Sequence, residues 1–125
     1  MILDTNALSA FLAGDDLLKG VLGSFRVIHL PVIVLGEHRF GLLRSRHRKN
    51  IEPLLDRLEA IANILPVDSG TVRPYAEIRD QLKRAGTPIP ANDAWIAALA
   101  LQHDLPVVSR DTHFDAVKRV RRVKW

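Results

Sequence analysis

Met1-Ile2-Leu3-Asp4-Thr5-Asn6 opens the chain, and its reading decides the fold. Three apolar residues end in a carboxylate, and a helical stretch from Asn6 to Ala13 follows. That pattern describes a short strand feeding a helix, with an acid at the junction. Pro106-Val107-Val108-Ser109-Arg110-Asp111 has the same form near the other end of the chain: an apolar strand, then a carboxylate. Arg26 to Leu30 and Ile64 to Val67 are further strand candidates, and helical stretches separate all four. Strands alternating with helices predict an α/β fold with a central, mostly parallel sheet covered on both faces.

Punctuating residues set the expected helix limits. Gly14 stops the first helix, and Asp15 or Asp16 caps a second that runs to about Leu22. Pro31 suits the first turn of a third, continuing to about Arg46. Asn50 caps a fourth, with Pro53 in its first turns. Asp68 or Ser69 starts a fifth that ends near Gly86. A rigid loop, Thr87-Pro88-Ile89-Pro90, leads into a sixth over Asn92 to His103. A last helix is expected over Asp111 to Lys118, and an edge strand over Val120 to Trp125. No repeat, low-complexity segment or linker interrupts the pattern, so residues 1–125 read as a single domain.

The length suits one hydrophobic core. The chain has no cysteine, which excludes disulfides and thiolate metal sites and fits a cytoplasmic protein. It opens directly on a strand, so no signal peptide is expected. Its apolar runs are too short to cross a bilayer, so no membrane role is expected. The net charge is +4, and the excess is clustered. One cluster is Arg39, Arg44, Arg46, His47, Arg48 and Lys49; the other is Lys118, Arg119, Arg121, Arg122 and Lys124. Such clusters attract phosphate backbones, although cations also favour solvated helix C-termini. The contrast is more informative: a basic surface around an acidic pocket suits a polyanion cut with metal help.

Four acids make that pocket. In an open α/β sheet, ligands bind beyond the carboxyl ends of the strands, where Asp4 and Asp111 are expected. Glu37 interrupts the apolar stretch Val32 to Leu43 and shares a helical face with Ile33 and Phe40. A carboxylate there is costly unless paired or metal-bound. Gly36 and Gly41 on the same helix suggest close approach by another element. Asp93 begins the sixth helix. Each acid also has a plain structural reading. Asp4 and Asp111 can cap helices, Asp93 can serve the helix dipole, and Glu37 can pair with Arg39 or Arg44. Asp115 is a second candidate beside Asp111, expected to face solvent. Four carboxylates in one cleft repel unless protons or cations neutralise them, so the joint reading is a divalent-metal site. Thr5, Asn6 and Ser109 are candidate supporting polar groups. The five histidines show no metal-ligand spacing; His38, His47 and His113 are candidate phosphate contacts, with solvated helix residues the simpler reading.

Ile2-Leu3-Asp4-Thr5-Asn6, Glu37-His38-Arg39-Phe40-Gly41, Asn92-Asp93-Ala94-Trp95-Ile96-Ala97-Ala98 and Ser109-Arg110-Asp111-Thr112-His113-Phe114 resemble, in order and placement, the PIN-domain ribonucleases, in particular VapC-type toxins of toxin–antitoxin pairs. The family often has Ser or Thr at the start of the Glu-bearing helix, where this chain has Pro31-Val32. The resemblance implies a PIN-like three-layer α/β/α sandwich. It implies that Asp4, Glu37, Asp93 and Asp111 bind Mg²⁺ or Mn²⁺ and cut RNA, with Thr5, Asn6 and Ser109 in support. It also implies an antitoxin partner covering the site, and a homodimer. Two alternatives keep the fold: a non-catalytic RNA-binding module, and a structure-specific DNA nuclease. A phosphotransfer receiver would need an acidic pair after the first strand, and a dinucleotide binder a Gly-rich turn there; Asp4-Thr5-Asn6 offers neither.

Overall fold

The computed structural model describes all residues, Met1–Trp125. Five short strands form one sheet: β1 (Ile2–Leu3), β2 (His29–Pro31), β3 (Asn63–Leu65), β4 (Val107–Val108) and β5 (Arg122–Val123), in the order β3-β2-β1-β4-β5. Every pairing is parallel; Ile2 stands against His29 on one side and Val107 on the other. Successive strand residues point to opposite faces. Ile2 and Leu3 are both fully buried, as are Val107 and Val108, so both faces are covered. The result is the expected three-layer α/β/α arrangement. Six α-helices supply the cover: α1 (Thr5–Leu12), α2 (Asp16–Leu22), α3 (Val32–Leu42), α4 (Arg48–Ile61), α5 (Ser69–Ala85) and α6 (Ala91–His103). None is long and apolar enough to cross a membrane.

Local chemistry explains the helix ends. Asp15 caps α2 by accepting from the Leu18 N–H at 3.0 Å. Asp68 and Thr71 form a reciprocal capping box on α5, and Gly86 ends that helix in the left-handed conformation at φ 68°. In α6, Ala94, Ala97, Ala98 and Ala100 are all buried with Ile96 and Leu99. Their small side chains let this helix run close to its neighbours. The Tyr75 and Trp95 rings stack at 3.6 Å between α5 and α6.

Several expectations are corrected. Helix α3 stops at Leu42, four residues before Arg46: the Leu43 and Ser45 N–H groups bond only three residues back, to the Phe40 and Leu42 carbonyls at 3.3 and 3.1 Å, which tightens the chain into a turn. Asn50 does not cap α4. Its own N–H donates to the His47 carbonyl, so it sits inside the first turn, and α4 has no side-chain cap. Strands β2 and β3 are shifted: β2 covers His29–Pro31, so Pro31 ends a strand and precedes α3, and β3 ends at Leu65. The segment after Asp111 is a five-residue 3₁₀ helix, Thr112–Ala116. Buried Phe114 and Val117 anchor it, and the chain turns extended at Val117 to enter β5. Nothing approaches Gly36 or Gly41: a Cβ on either would meet no atom within 4 Å.

Candidate active site

The sheet order creates the site. From β1 the chain moves to β2 on one side, while β4 and β5 lie on the other. At such a switch point the loops leaving the two central strands diverge and open a crevice at their carboxyl ends. Asp4 leaves β1 there, and Ser109, Arg110 and Asp111 leave β4. Helix α3 brings Glu37 to the same place and the start of α6 brings Asp93. All four acids line one cavity of about 850 Å³, together with Thr5, Asn6, Asn92 and His113. Asp115 does not line it; its carboxylate pairs with Arg122 at 2.5 Å.

Each acid is held by its own set of donors. Asp4 is 4% exposed. Its Oδ1 accepts the Ala7 N–H at 2.8 Å, the helix-cap role expected of it, while its Oδ2 accepts from the Ser109 hydroxyl. No Lys, Arg or His lies beside it. Burial therefore raises its pKa to about 6; the Ser109 and Ala7 hydrogen bonds oppose the rise, and the Asp93 and Asp111 charges add to it. Glu37 is held from two helices: Thr5 Oγ1 donates to Oε2 at 2.5 Å and Asn92 Nδ2 to Oε1 at 2.6 Å. It pairs with neither Arg39 nor Arg44. Arg39 is taken by Asp56 at 2.8 Å and Glu59 at 2.5 Å. Asn6 fastens the β4 loop, accepting the Arg110 N–H at 3.2 Å with Nδ2 3.5 Å from Ser109 Oγ.

Asp93 and Asp111 meet at His113, whose Nδ1 lies 2.9 Å from Asp93 Oδ2 and 3.1 Å from Asp111 Oδ1. Burial raises the Asp93 pKa against the lowering effect of the His113 hydrogen bond; Asp111 and Glu37 push it further up. Asp111 also caps the 3₁₀ helix through the His113 N–H at 2.9 Å, so its structural and site roles coexist. His113 is exposed, as expected from the sequence, but its ring also pairs with two of the acids. Its position two residues after Asp111 was the only available signal, since its contact with Asp93 spans twenty positions. By sequence Asn92 marks only a helix start; in the fold its side chain donates to Glu37. Arg122, read as part of a basic cluster, has a side chain only 3% exposed. It donates to Asp115 and to the Ser109 carbonyl at 3.2 Å, bracing the residue that holds Asp4.

The donor set fits a hard divalent cation. Asp93, Asp111 and His113 each offer one ligand atom within 4.8 Å of the others. Asp4 and Glu37 fall outside that tight group but line the same cavity. Carboxylate oxygens suit Mg²⁺ and Mn²⁺, and an imidazole is compatible with Mn²⁺. Asp4, buried without a cationic side chain, is the kind of group that an added cation compensates.

Residues 1–120 match the PIN domain model. The chain is 32% identical over 118 residues to Ribonuclease VapC5 of Mycobacterium tuberculosis, covering 93% of this chain and 86% of that relative. The chain belongs to the PIN-domain family, and within it to the VapC-type proteins. Among solved structures it resembles FitAcB from Neisseria gonorrhoeae, with TM-score 0.83 and 34% identity over 97% of this chain and 94% of that one. It shares its fold with VapBC2 from Rickettsia felis bound to a promoter DNA fragment, with TM-score 0.88 and 22% identity over 99% of this chain and 97% of that one.

Proposed function

We propose that this protein is an Mg²⁺- or Mn²⁺-dependent endoribonuclease, the toxin of a cytoplasmic toxin–antitoxin pair, and that Asp4, Glu37, Asp93 and Asp111 form its catalytic centre. The observation that carries this is the convergence of four acids from four separate segments on one cavity at the sheet's switch point. The name of the VapC5 relative as a ribonuclease supports it. The VapBC and FitAcB assemblies support an antitoxin partner for this chain. A homodimer is part of the same proposal.

When bound, a divalent cation lowers the pKa of a water molecule and offsets charge on the phosphate. The chain's residues prepare the place. Asp4 and Asp93 would be the main ligands, with Asp4 reaching the ion from beyond the tight Asp93–Asp111–His113 group; the Ser109 hydroxyl and Ala7 N–H fix the Asp4 carboxylate so that it need not reorganise. Thr5 and Asn92 fix both oxygens of Glu37, which orients the attacking water. Asp111 completes the set, and His113 holds it beside Asp93. A cation among these acids would relax their mutual repulsion without protonating them.

The test is cleavage of a structured RNA pool by the purified protein, with Mg²⁺ or Mn²⁺ against EDTA, beside Asp4→Asn. Metal-dependent cutting that the variant lacks is the expected result, and a fully active Asp4→Asn protein would sink the proposal. DNA of matching sequence is the control for a DNA nuclease.

A further inference from the structure

Phe40 is the one fully solvent-facing aromatic ring in this chain. It is 77% exposed, whereas every other Phe, Tyr and Trp is buried or half-buried. It lies one helical turn after Glu37 on α3 and lines the same cavity as the four acids. Pro90 and Ala91 line that cavity from the start of α6. Gly36, one turn before Phe40 on the same face, leaves the flank of the ring open, since a Cβ there would meet nothing within 4 Å. Beyond Phe40 come Arg44, Arg46 and Lys49, all exposed and none in an ion pair. The ring thus borders the carboxylates, and exposed Leu43 and then these unpaired cations follow it along the chain.

We infer that Phe40 is a stacking platform for the nucleobase next to the scissile phosphate. This rests on the ribonuclease reading above. A nucleic-acid strand alternates phosphates with flat bases, and the surface offers groups for both. Stacking on an aromatic ring is tolerant of sequence, because every base has a π-face. It is open only to a base not already stacked within a duplex. The unpaired cations that follow Phe40 in the chain suit the phosphates of such a strand.

The probes are an oligoadenylate and an abasic ribose–phosphate strand of equal length, bound to the full chain with Ca²⁺ in place of Mg²⁺ and followed by fluorescence anisotropy. The wild type should favour the oligoadenylate by about 5- to 150-fold, the range for one stacked base. Phe40→Ala should lose most of that preference while binding the abasic strand unchanged. Phe40→Leu, which keeps apolar area without a π-face, should lose it as well, and Phe40→Trp should keep it. A wild type that does not distinguish the two strands overturns the inference, as does a Phe40→Ala variant that retains the preference. If Phe40→Ala instead turns a dimer into a monomer with the preference intact, the ring serves a second copy of the chain. Mg²⁺-dependent cleavage, assayed separately with Asp4→Asn as control, shows whether the ribonuclease reading stands when the stacking fails.

Discussion

Replacing Asp4 with Asn should stabilise the metal-free protein while removing its activity. The carboxyl group is buried, and its pKa rises from the ordinary 3.8 to about 6. The difference, 6 − 3.8 = 2.2, corresponds to about 3 kcal/mol at about 1.36 kcal/mol per unit. Between pH 3.8 and 6 the folded protein still holds a proton that the unfolded chain has released. Stability therefore falls as pH rises through that window, and the whole loss is in place above pH 6. Asparagine carries no charge, so Asp4→Asn removes that loss. It also forfeits the acceptor that Ser109 uses at Oδ2, a cost of about 1 kcal/mol. The net gain at pH 7.5 is about 2 kcal/mol. At roughly 2.1 cal/mol/K per residue, a chain of this length gains about 4 °C per kcal/mol, so Tm should rise by about 8 °C. The assay is thermal unfolding of both proteins in EDTA at several pH values from 4 to 7.5. The gap should be widest at pH 7.5 and close towards pH 4. A variant melting at or below the wild type at pH 7.5, or a gap that ignores pH, would refute the reasoning.

Three further outcomes follow from the same geometry. Mn²⁺ at a hundredfold excess over its Kd should stabilise the wild type by about 2.7 kcal/mol, seen as a Tm rise of about 10 °C, and should leave Asp4→Asn nearly unmoved; equal shifts in both proteins would place the ion elsewhere. Asn92→Ala frees one oxygen of Glu37 and should lower kcat for RNA cleavage by about tenfold, one hydrogen bond's worth of orientation, with Tm changed by only a few degrees; unchanged kcat would remove Asn92 from the site's support. Arg122→Met should cost about 1–2 kcal/mol in urea unfolding, because it strips hydrogen bonds from the Ser109 carbonyl while half-exposed Asp115 is free to rehydrate; a neutral substitution would mean that Arg122 does not brace that loop.

The class of the fold is legible in the order of residues. Apolar runs ending in acids, alternating with helical stretches, need only local periodicity to be read, and Asp4 and Asp111 stand at strand ends for that reason. Glu37 was legible because a carboxylate on a half-apolar face needs an explanation. Element limits were less legible: α3 ends early in a turn of i→i−3 bonds at Leu43 and Ser45, and the segment after Asp111 tightens to a 3₁₀ helix to reach β5. The cost assigned to Gly36 and Gly41 suggested a close neighbour, where the fold has open surface. Only tertiary structure could make Asn92 a partner of Glu37, across 55 positions, or place His113 between Asp93 and Asp111. The same holds for Arg122, a surface cation by composition, which the parallel pairing of β5 with β4 buries behind Ser109. The physical reason is range. Strand and helix patterns arise from neighbours a few residues apart, whereas the hydrogen bonds that orient the four acids join side chains brought together only by the order of strands in the sheet.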